Sequence, residues 1–295
     1  MSNISFEEFM GLKTNYPNDL LFYHYCSPET FLSICSGKKL RFSDLNSMND
    51  HLENIWGYNI WIEVANDLLQ SGEMQKDFID QIDEVLHMAS LNFLRLACCL
   101  SQDGDVLSQW RAYASDASGY SIGFSANGLL KMPVRILNAI YDKEEQKNIV
   151  KAFVKSVFEV TSNKTDFSKN NDFEDICTEF AINLSCFKNS AFNEELETRL
   201  IHVAVLDTTD ANNPQYMFGG GTANGKECKD YPISYRMNKS VPTVYIDIDY
   251  FYDTNPIKEV ILGPKNEAHP MGVIMAMNSM GLKNVKVKLS EASYR

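Results

Sequence analysis

Three stretches bring together side chains whose types and spacing could do chemistry. The first is Tyr23-His24-Tyr25. On a strand the two phenols point one way and His24 the other. An imidazole there can hydrogen-bond a ribose or an amide without carrying charge. A buried histidine bonded to backbone is the plainer alternative. The second stretch is Glu195-Leu-Glu197-Thr-Arg199. Read as a strand, Glu195, Glu197 and Arg199 project to one face. Two carboxylates beside a guanidinium suit two jobs. They can hold a ribose hydroxyl pair while stabilising an oxocarbenium-like centre, or do general acid–base work with split pKa values. A salt-bridge ladder on a wet face would give the same pattern.

The third stretch is RFSDLNSMNDHLE, residues 41–53. If residues 49 onward are helical, Asn49 and Glu53 fall at i, i+4 and Asp50 and Glu53 at i, i+3, so all three share a face. Asn49 or Asp50 could equally cap that helix, with Glu53 closing a capping box. Two further groups stand nearby in kind. Trp110 and Tyr113 lie at i, i+3 and could stack a base or nicotinamide ring, or could simply be core. Asp247 and Asp249 share one strand face, as Mg²⁺ ligands or as a solvent-facing edge. No HExxH, GxSxG or Cys–His nucleophile pattern occurs, so the chemistry offered is that of carboxylates, a histidine and tyrosines.

The elements that must position these groups follow from periodicity and caps. LLFYHY (20–25) reads as a strand. SPETFLSICSGKK (27–39) reads as a helix capped by Ser27, with Pro28 first, Phe31, Leu32 and Cys35 inward, and Gly37 as its stop. Strands are expected at 40–42, 95–101, 119–125, 134–142 and 196–206, with helices at 50–69, 74–88 and 106–114. Residues 143–188 read as helical with a polar interruption at 161–175, the best internal hinge. Residues 207–230 read as a long, mobile surface loop. PISYRM, TVYIDIDYF and IKEVILG are strands, followed by a helix near 268–280 and a strand at 285–290. A short helix is expected at 5–12. Interleaving without strict alternation predicts one α+β domain over 1–295, core about 20–290, with a mixed, largely antiparallel sheet flanked by helices. No Gly-rich phosphate loop joins a strand to a helix.

Bulk properties narrow the partners. With 27 Lys and Arg against 39 Asp and Glu, the chain carries a formal charge of −12. A basic field for non-specific nucleic-acid binding is absent, and an anionic membrane surface is disfavoured by the same argument. No apolar run reaches the ~18–20 residues that span a bilayer, and MSNISFEEFM is no signal peptide, so a cytoplasmic protein is expected. Seven irregularly spaced cysteines predict free, buried thiols rather than zinc ligands; no metal site is expected.

The ordered boxes LFYHYCSPETFLSIC…GKKLRFS, MNDHLE, ACCLSQDGDVLSQWRAYASDASGYSIGFS, CFKNSAFNEELETRL and IKEVILGP resemble the bacterial domain-of-unknown-function family 2971 over roughly residues 20–270. Phe192 stands where that pattern has tryptophan and Gln109 where it has methionine. A weaker likeness, through the Tyr-His-Tyr strand and the capped helix, is to ADP-ribosyltransferase-type folds. That likeness implies a role for His24 in holding the ribose of NAD and makes Glu195 or Glu197 the late-strand acid. Tyr113 or Trp110 would stack on nicotinamide.

On these grounds His24, Glu195 and Glu197 are the expected catalytic residues. Tyr23, Tyr25, Asn49, Asp50, Glu53, Trp110, Tyr113 and Arg199 are the expected ligand-binding residues. The expected activity is that of an ADP-ribosyltransferase or NAD glycohydrolase, with NAD as substrate, in antiphage defence or a stress response. One alternative is a non-catalytic sensor or protein-binding domain. The other is a nuclease using Asp50, Glu53, Glu195 and Glu197 with Mg²⁺.

Overall fold

The alternation in LFYHYC makes β1 (Leu21–Cys26), and Ser27 then turns the chain into α1 (Pro28–Gly37). Its hydroxyl accepts from Thr30 N–H at 3.2 Å, and Pro28 fits the first turn because that N–H has no helical partner anyway. Phe31, Ile34 and Cys35 are its buried face; Leu32, expected inward, is 56% exposed. The left-handed residue that ends the helix is Lys38 (φ 55°) rather than Gly37, and its N–H closes on Ile34 O. The chain returns as β2 (Lys39–Asp44). The computed structural model describes residues 15–45, 53–161, 171–218, 222–223, 226–227 and 231–294. The expected helix at 5–12 lies outside them, as do most of 161–175 and part of 207–230.

Three further helices cover one face of the sheet with α2 (Glu53–Gln70): α3 (Lys76–Asn92), α6 (Lys143–Thr161) and α7 (Asn171–Asn183). Each shows a stripe at helical spacing, such as Phe78, Ile79, Ile82, Leu86 and Ala89 on α3. Between them come β3 (Phe93–Ser101), α4 (Leu107–Tyr113), β4 (Tyr120–Ser125), the single turn α5 (Ala126–Leu129) and β5 (Arg135–Asn138). The C-terminal third is β6 (Glu197–Asp207), β7 (Gln215–Phe218), a ribbon of β8 (Thr222–Ala223) and β9 (Lys226–Glu227), then β10 (Ser234–Asn238) and β11 (Val241–Asp249). It closes with β12 (Ile257–Leu262), α8 (Pro270–Ser279) and β13 (Lys286–Leu289). The expected loop at 207–230 thus contains β7, which extends the sheet by pairing with β6.

Among the described residues the strands build one eleven-stranded sheet and the separate ribbon. The main path runs β10-β11-β2-β3-β1-β4-β12-β13, and β6 joins β3 on its other edge, carrying β5 and β7. Only β12–β13 is parallel, so the sheet is mixed and largely antiparallel, flanked by helices in an α+β domain. Leu94, Leu96, Cys98 and Leu100 of β3 face a core with α1 and α8, whereas Ala97 faces a second core under α2, α3, α6 and α7. Covered on both faces, β3 reads as a nearly continuous apolar run. Six described cysteines are free thiols, and five of them are buried. Among the described residues no helix is long and apolar enough to cross a membrane.

Candidate functional site

The site begins with a fault in the sheet. β1 and β2 both run antiparallel to β3 and lie on the same edge of it. β2 pairs at Ser43↔Ala97 and Asp44↔Leu96, and β1 pairs at Tyr23↔Ser101. Continued in register, both strands would claim Cys98–Leu100. Neither does: β1 swings toward β4 and β2 toward β11, and α1 bridges the gap. The fork leaves a cleft of about 830 Å³ with Cys98, Cys99 and Leu100 at its base.

Strand parity makes one wall of this cleft polar. On β2, Leu40 and Phe42 go to the core, which turns Lys39, Arg41 and Ser43 to the cleft. On β11, Val244, Ile246 and Ile248 go to the core, which turns Asp247 to the cleft, and β10 adds Arg236 and Asn238. Arg41 is fixed: its Nε and Nη2 donate to the two oxygens of Asp247 at 2.9 and 3.0 Å, and its guanidinium lies 3.9 Å from the Tyr245 ring centre. Asp247 and Asp249 share a face as expected. They sit on an inner strand rather than at a sheet edge, and Lys39 is 4.0 Å from Asp249.

The opposite wall holds the carboxylates, and here the expected geometry needs correction. Glu195 is not on the strand. Ser190–Glu195 is a 3-10 helix, and β6 starts only at Glu197. Leu196 between them takes a left-handed backbone (φ 44°, ψ 48°), which a non-glycine residue holds only under constraint. Its carbonyl accepts from Gln102 N–H, and Ser101 Oγ donates to the Glu195 carbonyl, so the end of β3 holds the kink. The kink sends both acids to one ammonium: Lys188 Nζ donates to Glu195 Oε2 and, at 2.6 Å, to Glu197 Oε2.

Behind Glu197 stands Arg199, 1% exposed, with Nε 3.0 Å from Oε1 and Nη2 3.0 Å from Oε2. Its Nη1 donates to Ser185 O. Burial by itself pushes the Glu197 carboxyl up, but the Arg199 and Lys188 charges outweigh it and hold the group down at about 2. Glu197 is therefore a fixed anion and no proton shuttle at neutral pH. Glu195 is the more open of the pair, and the hydroxyl of Tyr113 donates to its Oε1 at 3.1 Å. The Lys188 ammonium occupies the place between the two acids where a cation would sit. Among the described residues no three or more His, Cys, Asp or Glu side chains are grouped to hold a metal.

At the fork, His24 Nδ1 lies 3.1 Å from the carbonyl of Cys99. A carbonyl only accepts, so Nδ1 carries the hydrogen and Nε2 keeps a lone pair. Burial lowers the pKa of this ring, which keeps it neutral. Tyr23 and Tyr25 point to the other face of β1, yet all three line the cleft because the fork opens along the strand edge. Their hydroxyls are committed. Tyr23 donates to Glu259 at 3.2 Å, with burial first among the causes pushing its phenol up to about 12, and Tyr25 donates to Asp103 O while accepting from Val106 N–H.

Of the expected residues, the cleft brings together Tyr23, His24, Tyr25, Tyr113, Glu195 and Glu197. Trp110 is not with them. It is fully buried, edge-on to Tyr25 at 4.9 Å, with its N–H on Asp105, so it has no ring face for a ligand. Arg199 likewise acts from behind Glu197. Asn49, Asp50 and the side chain of Glu53 lie outside the described residues. Lys188, Arg41 and Arg236 were missed. Parity gives Arg41 once Leu40 and Phe42 are taken as core, but nothing local in CFKNS marks Lys188.

Residues 109–200 match a family model described as a protein of unknown function, DUF2971. That stretch carries Tyr113, Lys188, Glu195, Glu197 and Arg199, the whole carboxylate wall. No curated protein and no solved structure matches the chain.

Proposed function

We propose that the chain is an enzyme acting at the N-glycosidic bond of a nucleotide of NAD type, as an ADP-ribosyltransferase or NAD glycohydrolase does. The observation that carries this reading is convergence: His24, Tyr113, Glu195 and Glu197, from three separate segments, line one cleft of nucleotide size. Glycosidic cleavage builds positive charge on the anomeric carbon, and preformed anions stabilise that charge where water is displaced. Glu197, kept ionised by Arg199 and Lys188, is such an anion.

In the proposed step the anomeric C–N bond breaks and its electron pair stays on the nitrogen, so nicotinamide leaves neutral. The oxygen of water or of an acceptor bonds to the carbon, and its proton passes to Glu195. Nε2 of His24 accepts from a ribose hydroxyl, and the ring of Tyr113 flanks the leaving base.

The test is incubation with NAD, with and without candidate protein and nucleic-acid acceptors, following nicotinamide release by chromatography. Wild type releases nicotinamide, and Glu195→Gln lowers the rate about 100-fold, the usual scale for a positioned general base. No release above background under any of these conditions sinks the reading.

One observation favours a second reading. Glu197 is locked in ion pairs on two sides, as befits a site that binds without turnover. In that case the protein is a sensor, and ADP-ribose or NAD is retained unchanged in equilibrium dialysis.

A further inference from the structure

The two walls of the cleft differ in charge arrangement. Near the carboxylates the four charges of Lys188, Arg199, Glu195 and Glu197 cancel within one nest. On the β2–β10–β11 wall, Arg41 is paired with Asp247, but Arg236 is not balanced. Among the described residues no carboxylate lies within ion-pair reach of it, and its Nη2 donates to the hydroxyl of Ser43 at 3.3 Å. That contact aims the guanidinium across β11 into the cleft, because Arg236 pairs with Thr243 and Ser43 with Tyr245 on neighbouring strands. Arg41 spends Nε and Nη2 on Asp247 and keeps Nη1 for the same space. In a chain of net charge −12, an uncompensated guanidinium at the rim of a cleft is not overflow from a basic surface.

We infer that Arg236, with Ser43 and the free edge of Arg41, forms a phosphate seat, so the ligand is a nucleotide held by its phosphates on this wall. This deepens the reading above, on which it rests for the placement of the ribose. A planar guanidinium matches two phosphate oxygens at once, and Arg does this better than Lys. The cleft is also larger than a ribosyl-nicotinamide requires, which leaves room for the phosphates and a second nucleoside.

The experiment is calorimetric titration of the full chain with ADP-ribose and with adenosine, in wild type, Arg236→Gln and Arg236→Lys. Wild type is expected to bind ADP-ribose at least tenfold more tightly than adenosine. Arg236→Gln removes that preference and leaves adenosine affinity and the melting temperature unchanged, while Arg236→Lys restores part of it. Arg236 is exposed, so both variants fold. Equal binding of the two ligands by wild type, no binding of ADP-ribose, or a preference that survives Arg236→Gln overturns the inference. A preference that depends on Arg236 without any NAD turnover leaves the phosphate seat standing and defeats the glycosidic reading. Turnover with an unchanged KM in Arg236→Gln does the reverse.

Discussion

The ammonium of Lys188 lies 2.6 Å from Glu197 Oε2, the same oxygen that Arg199 Nη2 reaches at 3.0 Å, so one buried carboxylate is gripped by two cations. Lys188 is 4% exposed, Glu197 5% and Arg199 1%, and at that depth a charge left without its partner is expensive. This nest is structural first, because it fixes where the left-handed Leu196 puts Glu195.

The nest sets a pH dependence of stability. The folded pKa of Glu197 lies below its unfolded value of 4.5, at about 2. A carboxylate depressed in this way stabilises the fold above its unfolded pKa, and the contribution is lost as pH falls through the folded value. Between about pH 4.5 and 2 the unfolded chain binds the extra proton, so stability rises with pH there. The expected contribution is on the order of 3 kcal/mol. Urea titrations of wild type and Glu197→Gln between pH 3 and 6 check it: the wild-type slope is steeper, and equal slopes contradict the assignment. Arg199→Met, which strands Glu197 with Lys188 alone, costs about 3–5 kcal/mol at pH 7.

Much of the frame is legible in the sequence, and the reason is local. Ser27-Pro28 announces α1, and the alternation in LRFS and TVYIDID sorts core from cleft residue by residue. The fork is not legible, because it arises from two strands competing for Cys98–Leu100, a contest between segments far apart in the chain. Glu195 shows the same limit. Period-two spacing puts it on a strand with Glu197, and the kink at Leu196 that overrides the spacing is held by Ser101, the last residue of β3, and by Gln102 just after it. For Trp110, i, i+3 spacing leaves a stacking ring and a core ring both open, because it fixes a shared face but not which neighbour covers it. Here Tyr25 covers it.

Tyr113 separates positioning from folding. The residue is 40% exposed and its hydroxyl donates to Glu195, so Tyr113→Phe removes that hydrogen bond and little packing. A bond to a carboxylate contributes about 1.5–3 kcal/mol, which corresponds to roughly 10- to 150-fold. Under the glycosidic reading kcat falls within that range while KM for NAD and the melting temperature barely move. A change confined to KM would instead place Tyr113 in ground-state binding.

The last relationship is steric. The ring of Tyr23 lies between two glycines: a Cβ on Gly123 would stand 2.9 Å from Tyr23 Cε1, and one on Gly104 would overlap the same ring. Gly123 sits opposite Tyr23 in the β1–β4 register, so its missing side chain is the slot into which the ring lies flat. Gly123→Ala leaves the strand backbone able to pair but forces the ring out of the slot and breaks its bond to Glu259, the β12 residue opposite Gly123. The expected result is a destabilisation of about 1–3 kcal/mol, the usual scale for overpacking. Tyr23→Ala in the same background opens the space again, so the double variant should recover part of the loss. Measured by urea titration, a non-additive double-mutant cycle supports the slot, and strict additivity of the two changes contradicts it.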